Sequence, residues 1–216
     1  MISAAVPAAG VAPPGHRQEK AVHRVYLIRH AETEWSRSGR HTGTTDLPLT
    51  DTGRQRAREL EPSLARANFV LVLSSPLRRA RQTAALAGFG ERAVIDDDLA
   101  EWNYGEYEGL TTEQIHQQAP GWMVFRDGGP GGETPAQVGA RVDRVVARIQ
   151  SAAGDVALFG HGHVLRVLAA RWLGLPVSAG SQFLLDTGTL SVLGHYRGTP
   201  ALEQWNSRVD NEEANP

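Results

Sequence analysis

Three observations point to one three-layer α/β domain, a mostly parallel sheet with helices on both faces. Continuous apolar runs at residues 25–28, 69–73 and 156–159 lack the polar alternation of a half-wetted strand, as strands buried on both faces do. Between them lie stretches of helical periodicity with clear start signals. Each run stops at residues suited to chemistry or tight turning: Arg29-His30, Ser74-Ser75-Pro76 and Gly160-His161-Gly162-His163. Ligands in open α/β sheets sit at the carboxyl ends of the strands.

In chain order, the first 20 residues are rich in Ala, Pro and Gly and broken by Pro7, Pro13 and Pro14. They have no basic start and no unbroken apolar stretch, so they read as a disordered tail and not a leader. The first strand follows, then residues 32–49 as a long, functional kind of loop with Gly39, Gly43 and Pro48. Thr50 reads as the cap of a helix over 51–66 with Leu60 and Leu64 on one face. The second strand ends at Pro76, placed to start a helix over 77–87 that carries Arg78, Arg79 and Arg81. Residues 94–95 read as a short third strand, closed by a turn at Asp96-Asp97-Asp98.

Residues 99–109, with Trp102, Tyr104, Tyr107 and two glycines, fit an irregular segment facing a ligand. Thr111 or Thr112 caps a short helix to about Gln118, and 120–132 reads as a loop. Thr134-Pro135-Ala136-Gln137 is a capping box with Pro at the first helical position, opening a helix to about Gln150. A helix over 164–173 follows the strand at 156–159. Residues 183–185, 190–196 and 202–205 read as closing strands, some of them antiparallel. The expected division is a disordered tail at 1–22, a domain at 23–207 and a polar tail at 208–216.

Apolar residues make up 41% of the 216 and charged residues 21%, a globular balance. The net charge of -2 offers no basic surface for nucleic acid or anionic lipid, so an anionic substrate has to be met by a local cluster of Arg and His. The absence of cysteine excludes disulfides and thiolate catalysis and is compatible with the cytoplasm, the expected location. No apolar run is long enough to span a membrane.

Arg29, His30, Arg79, Glu101 and His161 sit at or just beyond expected strand ends, where a sheet gathers residues distant in sequence. Guanidinium forks match phosphate oxygens, an imidazole can attack phosphorus, and a carboxyl group can deliver a proton to a leaving alkoxide. Phosphoryl transfer needs this kind of positioning and charge stabilisation.

The run Arg29-His30-Ala31-Glu32-Thr33-Glu34-Trp35, with four further blocks in order, resembles the histidine phosphatase (phosphoglycerate mutase-like) superfamily over roughly 25–196. The resemblance implies His30 as the nucleophile that becomes phosphohistidine, with Arg29, Arg79 and His161 as the rest of the phosphate pocket. It implies Glu101 as the acid, in a segment similar to Glu-x-x-Tyr-Gly. Thr42 and Gly43 match a stretch that approaches the phosphate, and Tyr104 matches a substrate-facing tyrosine. Ser36, Gly162, His163 and Trp102 are the further expected substrate contacts. Ala31 stands where the usual motif has Gly.

The departures bear on activity. Where phosphoglycerate mutases have Arg after the acid, Lys eight residues beyond the tyrosine, and Asn after the first tryptophan and past the second histidine, this chain has Trp102, Thr112, Ser36 and His163. A mutase must hold a second anionic group, so the lost cations favour hydrolysis. The Thr45-Asp46-Leu47-Pro48-Leu49-Thr50 and Gly160-His161-Gly162-His163 blocks look more like the sedoheptulose bisphosphatase-type branch, and the chain is also similar to broad-specificity acid phosphatases. The expected activity is hydrolysis of small phosphomonoesters, sugar phosphates foremost. Mutase-type transfer is the alternative, and a non-catalytic phosphate-binding protein a further one.

Blander readings stand beside these. Two of Arg78, Arg79 and Arg81 are solvated helix charges, and Glu106 and Glu108 face solvent. Trp102, Tyr104 and Tyr107 are either core aromatics or pocket walls. His16, His23, His116 and His195 are structural or solvated, with His41 set apart because it adjoins Thr42. His161 and His163 have no acidic partner at metal-ligand spacing, so neither metal nor cofactor is expected. The expected partner is a small phosphomonoester alone, without nucleic acid or membrane; a homodimer is left open.

Overall fold

The computed structural model describes residues 23–208, so the tails expected at 1–22 and beyond Arg208 lie outside the described residues. Six strands pair into one sheet: β1 (Val25–Arg29), β2 (Phe69–Ser74), β3 (Val94–Ile95), β4 (Asp155–Gly160), β5 (Leu190–Tyr196) and β6 (Thr199–Ser207), in the order β3-β2-β4-β1-β5-β6. The pairs among β3, β2, β4 and β1 are parallel. β5 lies antiparallel to β1, and β6 to β5.

Alternation along the central strands builds a core on each face. Val25 and Leu27 of β1, with Val156 and Leu158 of β4, face one side. There they meet Val138, Val142 and Val145 of α7 (Pro135–Gln150) and Leu165 and Leu168 of α8 (Gly162–Trp172). Ile28, Ala157 and Phe159 face the other side, against Leu60, Leu64, Ala84 and Phe89. The layers are therefore helix, sheet, helix, as expected from the apolar runs.

Several local expectations hold. Thr50 caps α2 (Asp51–Glu59) by accepting from Gly53 N, and Thr111 caps α5 (Thr112–Gln118) in a capping box with Gln114. Thr134 and Gln137 form the expected box at the start of α7.

Others are corrected. The helix expected over 51–66 is two pieces, α2 and α3 (Glu61–Leu64), broken at Leu60 because Pro62 has no N–H to continue the ladder. The loop at 32–49 contains a helical turn, α1 (Glu34–Arg37), boxed by Thr33 and Ser36, and the loop at 120–132 contains α6 (Val124–Asp127). The helix after β2 is α4 (Arg78–Ala84), and it passes into a π-turn at Ala85–Phe89 with Gly88 at φ +88°. Pro76 precedes its N-cap, Leu77, rather than opening the helix.

Residues 183–185 form no strand. The carbonyl of Leu184 accepts from Trp205 Nε1 and that of Leu185 from Arg29 Nη1, so side chains take what a ladder would use. Gly129 and Gly132 pack backbone against backbone on Asn103 to Gly105, where added Cβ atoms would overlap main chain.

Candidate active site

The register of the parallel strands levels their carboxyl ends. Arg29 is paired with Gly160, and Ser74 with Phe159. The level continues one residue on: His30 N donates to Gly160 O at 2.9 Å and Ser75 N to Phe159 O at 2.9 Å. Arg29-His30, Ser75 and His161-Gly162-His163 thus share one rim, on three adjacent strands. A cleft of about 250 Å³ opens there, lined by Arg29, His30, Ser36, Arg40, Thr42, Glu101, Tyr104, Gly162, His163 and Arg166 among others.

His30 is 4% exposed, and its Nδ1 lies 2.7 Å from Ala31 O. A carbonyl only accepts, so Nδ1 carries the proton and Nε2 keeps its lone pair. Burial first, then the charges of Arg79 and Arg29, hold its pKa well below the ordinary histidine value. Ala31 is fully buried; its N–H goes to Thr83 Oγ1 at 3.1 Å, and its methyl group packs with Leu49 and Ala57. The extra methyl relative to the usual glycine is thus accommodated.

Arg29 gives Nη1 to Leu185 O, while its buried Nε has no acceptor within the protein among the described residues. A Cβ on Gly162 would lie 3.2 Å from Arg29 Cζ, so glycine there lets the guanidinium pass across the start of α8.

Arg79 and His161 are fully buried and lie beside His30 rather than in the cleft lining. The His30 and His161 ring centroids are 5.2 Å apart. Arg79 donates from Nη2 to Thr42 O (2.8 Å) and Gly43 O (2.9 Å), from Nη1 to Thr45 O (2.9 Å), and from Nε to His161 Nδ1 (3.1 Å). The Nε bond makes His161 Nδ1 an acceptor, so its proton sits on Nε2, 2.6 Å from Ser75 Oγ. The fork of Arg79 is not open: a buried guanidinium needs acceptors, and Arg79 finds most of its own in the loop at 42–45. Arg78 and Arg81 are exposed, as solvated charges are.

Glu101 is 7% exposed. Its Oε1 accepts from Trp102 N (2.9 Å) and Val164 N (3.0 Å), and its Oε2 from His163 N (3.0 Å) at the start of α8. Arg141 of α7 steadies the segment through Asp98 O, Ala100 O and Glu101 O, and is itself paired with Glu133 at 2.8 Å.

The expected substrate contacts divide. Tyr104 lines the cleft and its hydroxyl meets His163 Nδ1; burial raises this phenol well above its ordinary pKa. Burial, then Arg166 and His41, lower His163 well below its usual value. Ser36 lines the cleft, but its Oγ serves the α1 cap through Thr33 N and Thr33 O. Thr42 lines it as well.

Two expected contacts are corrected. Gly43 lies outside the cleft lining and its N–H is taken by Glu108, so it is not free to donate to an anion. Trp102 is 0% exposed with Nε1 on Glu133 O at 2.9 Å; it is a core side chain, held there by its large apolar surface. Glu108, expected in solvent, instead caps the 42–45 loop.

Residues missed in the sequence also gather here. Arg166 lines the cleft half-buried, stacks on Phe125 at 4.6 Å, and donates to Gly180 O (2.9 Å) and Ser181 O (3.2 Å). Among the described residues it has no carboxylate partner, and burial followed by Arg29 lowers its pKa to about 10. Its position three residues beyond His163 on one helix was the signal available. Arg40 stands exposed at the rim, and His41 stacks on His163 at 5.8 Å. The described residues contain no group of three or more potential ligands for a metal ion.

The chain is similar to known proteins in sequence and in fold. Residues 25–208 match the family model described as histidine phosphatase superfamily (branch 1). An acid phosphatase of Mycobacterium tuberculosis is 43% identical over 184 residues, covering 83% of this chain and 90% of its own. A sedoheptulose 1,7-bisphosphatase of Saccharomyces cerevisiae is 40% identical over 187 residues, covering 71% and 69%. A solved structure of a Mycobacterium tuberculosis open reading frame superposes with a TM-score of 0.84 at 40% identity, covering 87% of this chain and 99% of that one.

Proposed function

The chain belongs to the histidine phosphatase superfamily, and from that premise we propose that it hydrolyses small phosphomonoesters, sugar phosphates foremost, through a phosphohistidine on His30. The observation that carries the mechanism is the pairing at His30. Nδ1 is committed to Ala31 O, which leaves Nε2 for attack, and the guanidinium of Arg29 lines the same cleft with no acceptor for its Nε among the described residues.

In the proposed reaction, His30 Nε2 attacks phosphorus while the P–O bond to the alcohol breaks. Arg29, whose guanidinium lines the cleft, donates to the phosphoryl oxygens. Arg79 contributes its charge and the N–H left on Nη1, and His161 supplies its Nε2–H by turning from Ser75. The carboxyl of Glu101 gives its proton to the leaving oxygen. The resulting carboxylate then takes a proton from water, which attacks the phosphohistidine and frees phosphate and His30.

Arg166 supports a finer reading. An arginine bonded to no carboxylate among the described residues, in a cleft that already holds Arg29, suits a second anionic group on the substrate, and the yeast relative is named for a bisphosphate. Bisphosphorylated sugars are therefore the proposed preferred class. No helix among the described residues is long and apolar enough to cross a membrane.

The test is turnover of an aryl phosphate by wild type and His30→Ala, with acid-labile phosphoenzyme trapped on quenching. The variant should lose on the order of 10³-fold or more in kcat. Glu101→Gln should slow turnover and accumulate the phosphoenzyme from an aryl phosphate, whose leaving group needs no proton. Equal rates in wild type and His30→Ala end the proposal.

A further inference from the structure

We propose that Glu108 is a positioning residue for the phosphate site, acting on Arg79 through a single peptide group. The inference rests on the phosphatase reading above. The carboxylate of Glu108 accepts from Gly43 N (2.9 Å to Oε1, 3.0 Å to Oε2) and from Thr45 N (3.0 Å to Oε1). On the other side of the same segment, Arg79 donates to Thr42 O, Gly43 O and Thr45 O.

The peptide joining Thr42 to Gly43 therefore gives its N–H to a carboxylate and its C=O to a guanidinium. Both bonds polarise that peptide in the same sense, so each strengthens the other. Glu108 also lies near enough to help stabilise the charge of buried Arg79 directly.

This sandwich leaves little freedom. Arg79 is fully buried, and three of its bonds end on the 42–45 loop. The loop is held from behind by Glu108, which follows a 3₁₀ turn at Gly105–Tyr107, and by backbone bonds from Gly109 N to His41 O and His41 N to Leu110 O. A Cβ on Gly43 would lie 2.5 Å from Trp102 O and 2.6 Å from Glu108 Oε2, so glycine is required for the carboxylate to reach the peptide. Without the carboxylate, the loop loses the anchor that aims its carbonyls, and Arg79 loses its fixed place beside His30 and His161. Sub-ångström placement of such a group governs phosphoryl stabilisation.

The experiment compares wild type, Glu108→Gln and Glu108→Ala, with Glu106→Gln as an exposed neighbour. It measures the affinity for inorganic phosphate by calorimetry, kcat and KM for an aryl phosphate, and near-UV dichroism for the folded fraction. Glu108→Gln should bind phosphate about tenfold more weakly and lose at least as much in kcat while remaining folded, with Glu108→Ala worse and Glu106→Gln unchanged. Wild-type phosphate affinity and kcat in folded Glu108→Gln overturn the proposal. Losses that merely follow the folded fraction do so too, as does failure of both variants to fold, because Glu108 is then a structural clamp alone. A wild-type chain that neither turns over aryl phosphate nor binds phosphate sinks the phosphatase reading and this one with it; an active wild type with an unaffected Glu108→Gln sinks only this one.

Discussion

His30 keeps a nucleophilic nitrogen because its neighbour's carbonyl claims the other one. A depressed pKa leaves the imidazole neutral at about pH 6.5, where a solvent-exposed histidine would be half charged. Arg166 works on the opposite principle: a charge kept half-buried and bonded to no carboxylate among the described residues has most to gain from an incoming anion. Arg166→Ala should raise KM for a bisphosphorylated sugar about tenfold or more and leave an aryl phosphate within about twofold. Equal effects on both substrates would remove Arg166 from the proposed second anion site. Strand-end positions made Arg29, His30 and His161 readable as candidates. Arg166 had only its place three residues beyond His163 to mark it, because a helix of mixed composition does not tell which arginine will be left unpaired.

Elements decide whether such residues stay aimed. α7 contributes no group to the cleft, yet its Arg141 holds three carbonyls of the segment bearing Glu101 and pairs with a partly exposed Glu133. Arg141→Met should cost about 3 kcal/mol in urea unfolding, since it strands those carbonyls and the Glu133 carboxylate. It should also lower kcat more than KM for an aryl phosphate. At the helix start, Thr134→Ala should cost about 1 kcal/mol through the lost cap and leave kcat unchanged. The caps at Thr50, Thr111 and Thr134 were readable because a cap is a contact across three residues. The turns α1 and α6 were not, because helices of one turn carry too few positions to show a period.

Across the whole molecule, the buried histidines couple folding to pH. His30, His161 and His163 all have native pKa values well below the ordinary one, with burial the largest cause in each. Above the unfolded value of about 6.5, neither state carries these protons and their contribution to stability is complete. As pH falls below it, the unfolded chain takes up protons that the native state refuses, so stability is lost toward the depressed native values. Urea midpoints at about pH 7.5 and about pH 5.5 should show a clear drop, and His163→Asn should make the drop smaller. A midpoint that holds steady or rises on acidification contradicts this.

The apolar runs carried the layer order, the parallel core and the strand ends, since burial on two faces leaves its mark in consecutive residues. They did not carry the hydrogen-bond partners. Arg79 spends its fork on carbonyls 34 to 37 positions away, and His161 meets Ser75 across 86. Trp102 went to the core and Glu108 to the back of a loop for the same reason. A buried polar or aromatic group takes whatever acceptor or surface the packed chain brings beside it, and only the tertiary arrangement determines which segment that is.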